Sequence, residues 1–360
     1  MTIVTTVSPQ FVRQKKAKKI AVPASEPLLA ELRELIDGAR QRIASTANAE
    51  LTMLYWHVDS RIRTEILSNE RAEYGEQIVS TVSRQLTADY GRGFERTNIF
   101  RMLRFAEHFS DEQIVATLSS QLSWSHFIEI LPVKDDLARQ FYAEMCRLER
   151  WSVRTLRDKI RGMLFERTAI SRKPGELIKQ ELQELQDSNR LTPDLVFRDP
   201  YLLNFLGLAD TYAEKDLEQA VVREVERFLL ELGGHFTFVA RQKRIVIDGR
   251  DFKIDLLLFH RALRRLVALD FKVGHFEAAH KGQMELYLRW LDKHERLPHE
   301  EAPLGLILCA EAGAEQVELR QLNQGSIRVA QYLTELPSRA LLEEKLREAR
   351  QIAEQRLLTE

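Results

Sequence analysis

Two neighbouring stretches decide the fold: Ile254-Asp255-Leu256-Leu257-Leu258-Phe259 and Leu266-Val267-Ala268-Leu269-Asp270-Phe271-Lys272. Apolar strands of this strength are buried on both faces. A carboxylate inside one is costly unless it is paired or holds a metal. Asp270 and Lys272 are two apart, so both side chains leave the same side of their strand. With Asp255 on the adjoining strand beside Asp270, two like charges meet in low dielectric, and a divalent cation relieves the clash. An oxygen-only ligand set suits Mg²⁺ or Mn²⁺ rather than Zn²⁺.

That grouping matches the needs of phosphodiester cleavage. A metal held by Asp255 and Asp270 can polarise the phosphate and lower the pKa of a bound water. Lys272 can position that water or steady the charge on the phosphoryl oxygens, and the Phe271 carbonyl is a further candidate ligand. An Asp-x-Lys triplet is common by chance, so its surroundings must supply the specificity.

Those surroundings indicate a mixed sheet flanked by helices. Leu217–Leu232 has helical periodicity and stops at Gly233-Gly234. Strands are expected at Phe236–Arg241, Lys243–Ile247, Lys253–Phe259 and Leu266–Phe271, with a hairpin signal at Asp248-Gly249. A helix at His280–Leu291 and strands at Leu304–Cys309 and Ser326–Tyr332 complete an α/β domain over 216–335. Glu218 and Glu224 border the apolar face of the 217–232 helix, and geometry alone does not choose between them. Gln283 and Tyr287 share a helical face, where they can bind a substrate strand, orient Lys272 or simply pack on the sheet. Arg241 and Lys243 are candidate phosphate contacts.

The preceding half is all-α. Residues 1–25, with Lys15, Lys16, Lys18 and Lys19, read as a disordered basic arm. Residues 26–170 read as short helices in a helix-turn-helix or winged-helix-like arrangement. Leu28, Leu32, Leu35, Ile36 and Ile43 are expected to form one apolar face, and Leu54, Val58, Ile62 and Ile66 another. Residues 171–215 connect the halves. In the final segment, 336–360, Leu342, Leu346, Ala349 and Ile352-Ala353 form a stripe for packing or dimerisation.

Ten Arg or Lys residues face four acids between Arg139 and Lys173. Arg147, Arg150, Arg154, Arg157 and Arg161 recur at alternating spacings of three and four, and line one face if the helix there is continuous. Such a stripe suits a phosphate backbone; a solvated, ion-paired face is the alternative. Arg92, Arg96, Arg101 and Arg104 form a second basic group. The net charge of −1 hides this asymmetry. No apolar run is long enough to span a membrane, and no secretory profile opens the chain. Cys146 and Cys309 lack metal-site spacing and read as buried thiols. A cytoplasmic protein is the expectation.

Taken together, these residues resemble the YhcG-type (DUF1016) proteins of the PD-(D/E)xK nuclease superfamily. The acid-x-lysine triplet falls on Asp270, Phe271 and Lys272, the upstream aspartate on Asp255, and a Gln-x-x-x-Tyr element on Gln283 to Tyr287. The resemblance selects Glu218 as the helix glutamate of the site. Trp124-Ser125-His126, Trp151 to Leu156 and Arg241-Gln242 are also similar to the family. Its implications are a restriction-endonuclease-like fold at the C-terminus, a winged-helix-like DNA-binding domain before it, and Mg²⁺-dependent cleavage. Two positions depart from the pattern. Ile254 stands in place of a chemically silent proline. Asp270 stands where relatives usually carry glutamate, a carboxylate displaced by about 1–1.5 Å, which points to an altered metal preference or weaker activity.

The expected activity is a DNA endonuclease, with RNA left open as substrate. One centre cuts one strand, so double-strand cleavage calls for a homodimer. The alternatives are a non-catalytic nucleic-acid-binding protein that keeps the nuclease fold, and a protein-interaction module.

Overall fold

Asp248 and Gly249 both take positive φ, 49° and 75°. This is the geometry of a two-residue hairpin turn matched to strand twist. It joins β2 (Phe236–Ile247) to β3 (Arg250–His260). The computed structural model describes residues 26–67, 72–206, 213–311, 325–333 and 338–357. The lysine-rich arm expected over 1–25 lies outside the described residues.

A short strand, β1 (Tyr201–Leu202), precedes these two, and β4 (Arg265–His275), β5 (Leu304–Glu311) and β6 (Ile327–Leu333) follow. The six strands form one sheet in the order β1-β6-β5-β4-β3-β2. Pairing is antiparallel from β2 to β4 and parallel from β4 through β5 and β6 to β1. The two strands expected between Phe236 and Ile247 are one, its ladder shifted between Phe238 and Ala240. β1 went unforeseen because two residues leave no periodicity.

The helices before the sheet are α1 (Glu26–Leu67), α2 (Ala72–Tyr90), α3 (Arg96–His108), α4 (Glu112–Ser119), α5 (Trp124–Ile130), α6 (Asp136–Glu149), α7 (Val153–Arg161), α8 (Leu164–Arg167), α9 (Gly175–Ser188) and α10 (Pro193–Val196). Between β1 and β2 come α11 (Glu214–Arg223) and α12 (Val225–Leu232). The single helix expected over 217–232 is therefore broken, at Glu224 (φ −107°, ψ 30°). Next come α13 (Ala278–His294), the crossover between parallel β4 and β5, and α14 (Arg339–Leu357).

Helices cover both faces of the sheet, as double-sided burial demands. Met284, Tyr287, Leu288 and Leu291 of α13 pack on Ile254, Leu257, Ala268 and Ile307. On the other face Leu217 and Val221 of α11 and Phe228 and Leu232 of α12 join Leu256, Leu258, Leu269 and Phe271. That second core continues without interruption into the helical half, through Phe197 and Phe165 to an aromatic cluster of Tyr55, Phe105, Trp124 and Phe127.

The chain divides into two compact units, Met1–Ala47 and Asn48–Glu360. In the first, the described residues are the opening turns of α1, where Leu32, Leu35, Ile36 and Ile43 are 43–70 % exposed. These are four of the five residues expected to form an apolar face; the Leu28 side chain lies outside the described residues. In the second unit, α1 buries Thr52, Tyr55, Asp59 and Ile62, while Leu54 stays 46 % exposed. The buried face is thus rotated at Leu54 from the expected stripe, of which Ile62 is buried and Val58 half-buried, while the Ile66 side chain lies outside the described residues. Tyr55 packs edge-on against Trp124 and Phe94, and the larger aromatic surface sets the rotation. Among the described residues of 26–167 no β-strand supplies a wing, whereas α2 and α3 are joined by the tight turn from Gly91 to Glu95. Leu342 and Leu346 of α14 are buried within the chain, while the side chains of Ala349, Ile352 and Ala353 lie outside the described residues.

A buried ion cluster ties the halves together. Glu231 of α12 receives Arg167 of α8 at 2.5 Å, Arg198 at 3.2 Å and the Leu202 N–H at 2.9 Å. Both cysteines are buried free thiols. No described helix is long and apolar enough to cross a membrane.

Two expected outcomes follow from the packing. A Cβ on Gly305 would lie 2.5 Å from Met284 Cγ, and Met284 is itself buried. Gly305→Ala should lower stability by about 1–3 kcal/mol in denaturant unfolding, with part recovered when Met284→Ala is added. Burial, then the charges of His235 and Arg265, push the His260 pKa from 6.5 down to about 3, while Nδ1 accepts the Leu263 N–H. The folded protein therefore keeps His260 neutral while the unfolded chain takes up a proton below pH 6.5. Its stabilising contribution is present above that pH and is lost as pH falls toward 3. Wild type should lose about 2 kcal/mol more than His260→Asn between pH 7 and pH 5.

Candidate active site

The antiparallel ladder of β3 and β4 ends at Leu256 and Leu269, and one step further it sets Asp255 beside Asp270. The pairing inferred from the two apolar runs is thus present. Asp255 is 9 % exposed and Asp270 3 %. The Phe271 N–H donates to Asp255 Oδ2 at 2.8 Å, which fixes that carboxylate against the neighbouring strand. Burial, then the charge of Asp270, push the Asp255 pKa up to about 8. Lys272 and Asp270 do leave the same side of β4, since Nζ lies 3.0 Å from Asp270 Oδ2.

The break at Glu224 separates α11 from α12, and α11 packs its Leu217-Val221 face on the sheet. Its acids thereby reach the strand carboxylates. Glu214, Glu218 and Asp255 each offer an oxygen, and all three oxygens lie within 4.8 Å of one another. Glu218 is the helix glutamate brought to the site. Glu224 turns away and pairs with Arg227 at 3.5 Å.

Glu214 escaped the sequence reading. It lies one turn before Glu218, the i to i+4 spacing that puts two side chains on one helical face, but it precedes the expected start of the helix. Burial raises the Glu218 pKa, and the charges of Glu214 and Asp270 raise it further. Lys272 Nζ also donates to Glu214 Oε1 at 3.1 Å. Burial by itself would lower the lysine pKa. The charges and hydrogen bonds of Asp270 and Glu214 outweigh it and hold the ammonium above the usual range.

Glu218 and Asp255 border a cleft of about 310 Å³, with Arg241, Gln242 and Phe271 also in its wall. Arg241 is exposed there. Gln283 and Tyr287 do not line it. Tyr287 is 1 % exposed and its hydroxyl donates to the Lys253 carbonyl at 2.9 Å, while the Gln283 amide donates to that hydroxyl. The pair braces the β3 backbone two residues from Asp255. Among the nearby histidines, His280 accepts the Glu277 N–H at the start of α13, and His275 pairs with Glu311.

The five-arginine stripe is interrupted. Arg150 adopts left-handed geometry (φ 52°) and ends α6, so no continuous helix carries all five. Arg147 is buried, bonded to Glu144 at 2.8 Å and to Asn189 at 2.6 Å. Arg154, Arg157 and Arg161 do share one face of α7, where Arg157 also holds Glu129 at 2.6 Å. Arg92, Arg96, Arg101 and Arg104, on and just before α3, are exposed. The Trp124-Ser125-His126 motif has a structural task. His126 accepts the Ser123 N–H at Nδ1 and donates from Nε2 to the Trp151 carbonyl, and Trp124 donates to Asn98.

The donor set fits a hard divalent cation. Three carboxylates from two elements converge, every candidate ligand atom is oxygen, and burial beside Asp270 raises the Asp255 pKa, a strain that a cation would relieve.

Comparison with known proteins follows the same division of the chain. Residues 31–167 match the DUF1016 N-terminal domain, and residues 194–347 match the YhcG PDDEXK nuclease domain. The chain is 34 % identical over 343 residues to "Putative nuclease YhcG" of Escherichia coli (strain K12), covering 87 % of this chain and 91 % of that protein. Among solved structures, a repair endonuclease from Pyrococcus abyssi aligns with 36 % of this chain and 50 % of its own, at 19 % identity and a TM-score of 0.25. The chain therefore belongs to the YhcG family, with a DUF1016 N-terminal domain joined to a PDDEXK nuclease domain.

Proposed function

We propose that the protein is a divalent-metal-dependent DNA endonuclease with its centre at Asp255, Asp270, Lys272, Glu214 and Glu218. The observation that carries this reading is the convergence of Glu214, Glu218 and Asp255 on one point beside the Asp270–Lys272 pair. Asp255 and Glu218 would hold Mg²⁺ or Mn²⁺, with Asp270, Glu214 and the Phe271 carbonyl as further ligands. When bound, the ion supplies Lewis-acid polarisation of the phosphate and a more acidic water.

The chain's own groups supply the remainder. Lys272 stays charged against its two acids and can meet the negative charge that grows on the phosphoryl oxygens. Arg241, at the cleft, can hold a neighbouring phosphate. Gln283 and Tyr287 act from behind, by keeping the β3 backbone in place. Nucleic acid would run over the exposed arginines of α7 and α3, where charge neutralisation supplies affinity without reading sequence. Cutting both strands of a duplex would take two copies of this chain.

Plasmid cleavage with Mg²⁺ or Mn²⁺ tests the centre. Asp255→Ala, Asp270→Ala and Lys272→Ala should each lose about 100-fold or more in rate, and a chelator should stop the wild type. Asp270→Glu should retain cleavage and change the Mn²⁺ to Mg²⁺ rate ratio. Three alanine variants indistinguishable from wild type would sink the assignment, and DNA binding without cleavage under every metal would mark a non-catalytic protein. For the binding face, Arg154→Ala combined with Arg161→Ala should flatten the slope of log affinity against log salt by about 2 in fluorescence anisotropy. An unchanged slope would move the DNA path elsewhere.

A further inference from the structure

A neutral amide is bonded to two acids of the cleft. Gln242 of β2 lies between Arg241 and Lys243, which pair with Leu256 and Ile254 of β3, yet its own φ is +47°. Left-handed geometry is disfavoured for a residue with a Cβ, and Gln242 has no Cα partner of its own in the β2–β3 register. Strain of this kind persists where the surroundings over-determine it, and it gathers at working sites. Here the surroundings are two carboxylates. Gln242 Nε2 donates to Glu218 Oε2 at 2.7 Å and to Asp255 Oδ1 at 3.3 Å.

We propose that Gln242 is a positioning residue for the divalent-ion site, orienting Glu218 and Asp255 together through one side-chain amide; this rests on the metal-dependent reading above. Asp255 is held at one oxygen by the Phe271 N–H and at the other by Gln242, so the plane of its carboxylate is set. Glu218 comes from a different element, has a longer chain and has more rotamer freedom to lose, and Gln242 restrains it. A lysine or arginine at this place would put a competing positive charge where the ion is wanted, and an acid would add repulsion. An amide donates twice and carries no charge. The left-handed turn at residue 242 is what the strand gives up to present that amide.

Mn²⁺ titration by calorimetry, with melting temperatures measured on the same samples, tests the proposal on wild type, Gln242→Gly, Gln242→Asn and Asp255→Ala. Glycine removes the amide and relieves the backbone. Its Mn²⁺ affinity should fall about 10–100-fold while its melting temperature holds or rises, a split that a merely structural residue would not produce. Asparagine tolerates left-handed geometry and keeps the amide on a shorter arm, so it should fall between the two. If Gln242→Gly, or a folded Gln242→Asn should glycine fail to fold, binds Mn²⁺ as tightly as wild type, the positioning role is wrong. If wild type binds no Mn²⁺, or Asp255→Ala binds it equally well, the metal-dependent reading itself fails and this inference falls with it.

Discussion

The antiparallel register of β3 and β4 places Asp255 against Asp270, and this end of the protein is organised around that enforced proximity of like charges. Neither strand can slip to relieve it. A one-residue shift would turn Leu256, Leu258, Leu269 and Phe271 out of the core they share with α11 and α12. The apolar energy of the whole sheet therefore holds the acids together. Lys272 answers part of the charge, and α11 then adds Glu214 and Glu218 on the same side. A region selected for stability alone would not gather four acids around one lysine. That excess of acid is what supports the proposed cation site.

Much of this was legible in the sequence because the decisive signals are local. Apolar runs broken by single acids located β3 and β4. Asp248-Gly249 fixed the hairpin, and the two-residue spacing of Asp270 and Lys272 fixed their common side. What stayed hidden depends on partners far away in the chain. The rotation of α1 follows from which aromatic ring found Trp124, a contact that helical periodicity does not encode. The basic stripe assumed a helix continuous through Arg150, whose left-handed turn ends α6. Arg147 reads as a surface cation from sequence because one of its two partners, Asn189, is remote in the chain.

Glu214 and Gln242 were missed for related reasons. Glu214 sits on the first residue of its helix, where boundaries read from sequence are least sharp. Gln242 falls in the gap between the strands expected at Phe236–Arg241 and Lys243–Ile247, and its hold on Glu218 and Asp255 depends on elements that meet only in the fold. The aspartate departure at Asp270 fits a site whose acids come from several elements. Asp255 is fixed from two sides, so its carboxylate does not depend on the length of the side chain at 270.

Glu231 has a consequence for how such proteins can be recombined. Its two arginines come from outside α12, one from the helical half and one from the connecting segment. A nuclease half excised at the family boundary would keep Arg198 and forfeit Arg167, leaving a buried pairing incomplete beside an exposed apolar seam. The two halves are separable as sequence families but share one energetic interior. Shuffling of either half between relatives would be tolerated only where the donor brings a matching partner for this carboxylate. A single buried acid thus draws its partners from both sides of the family boundary.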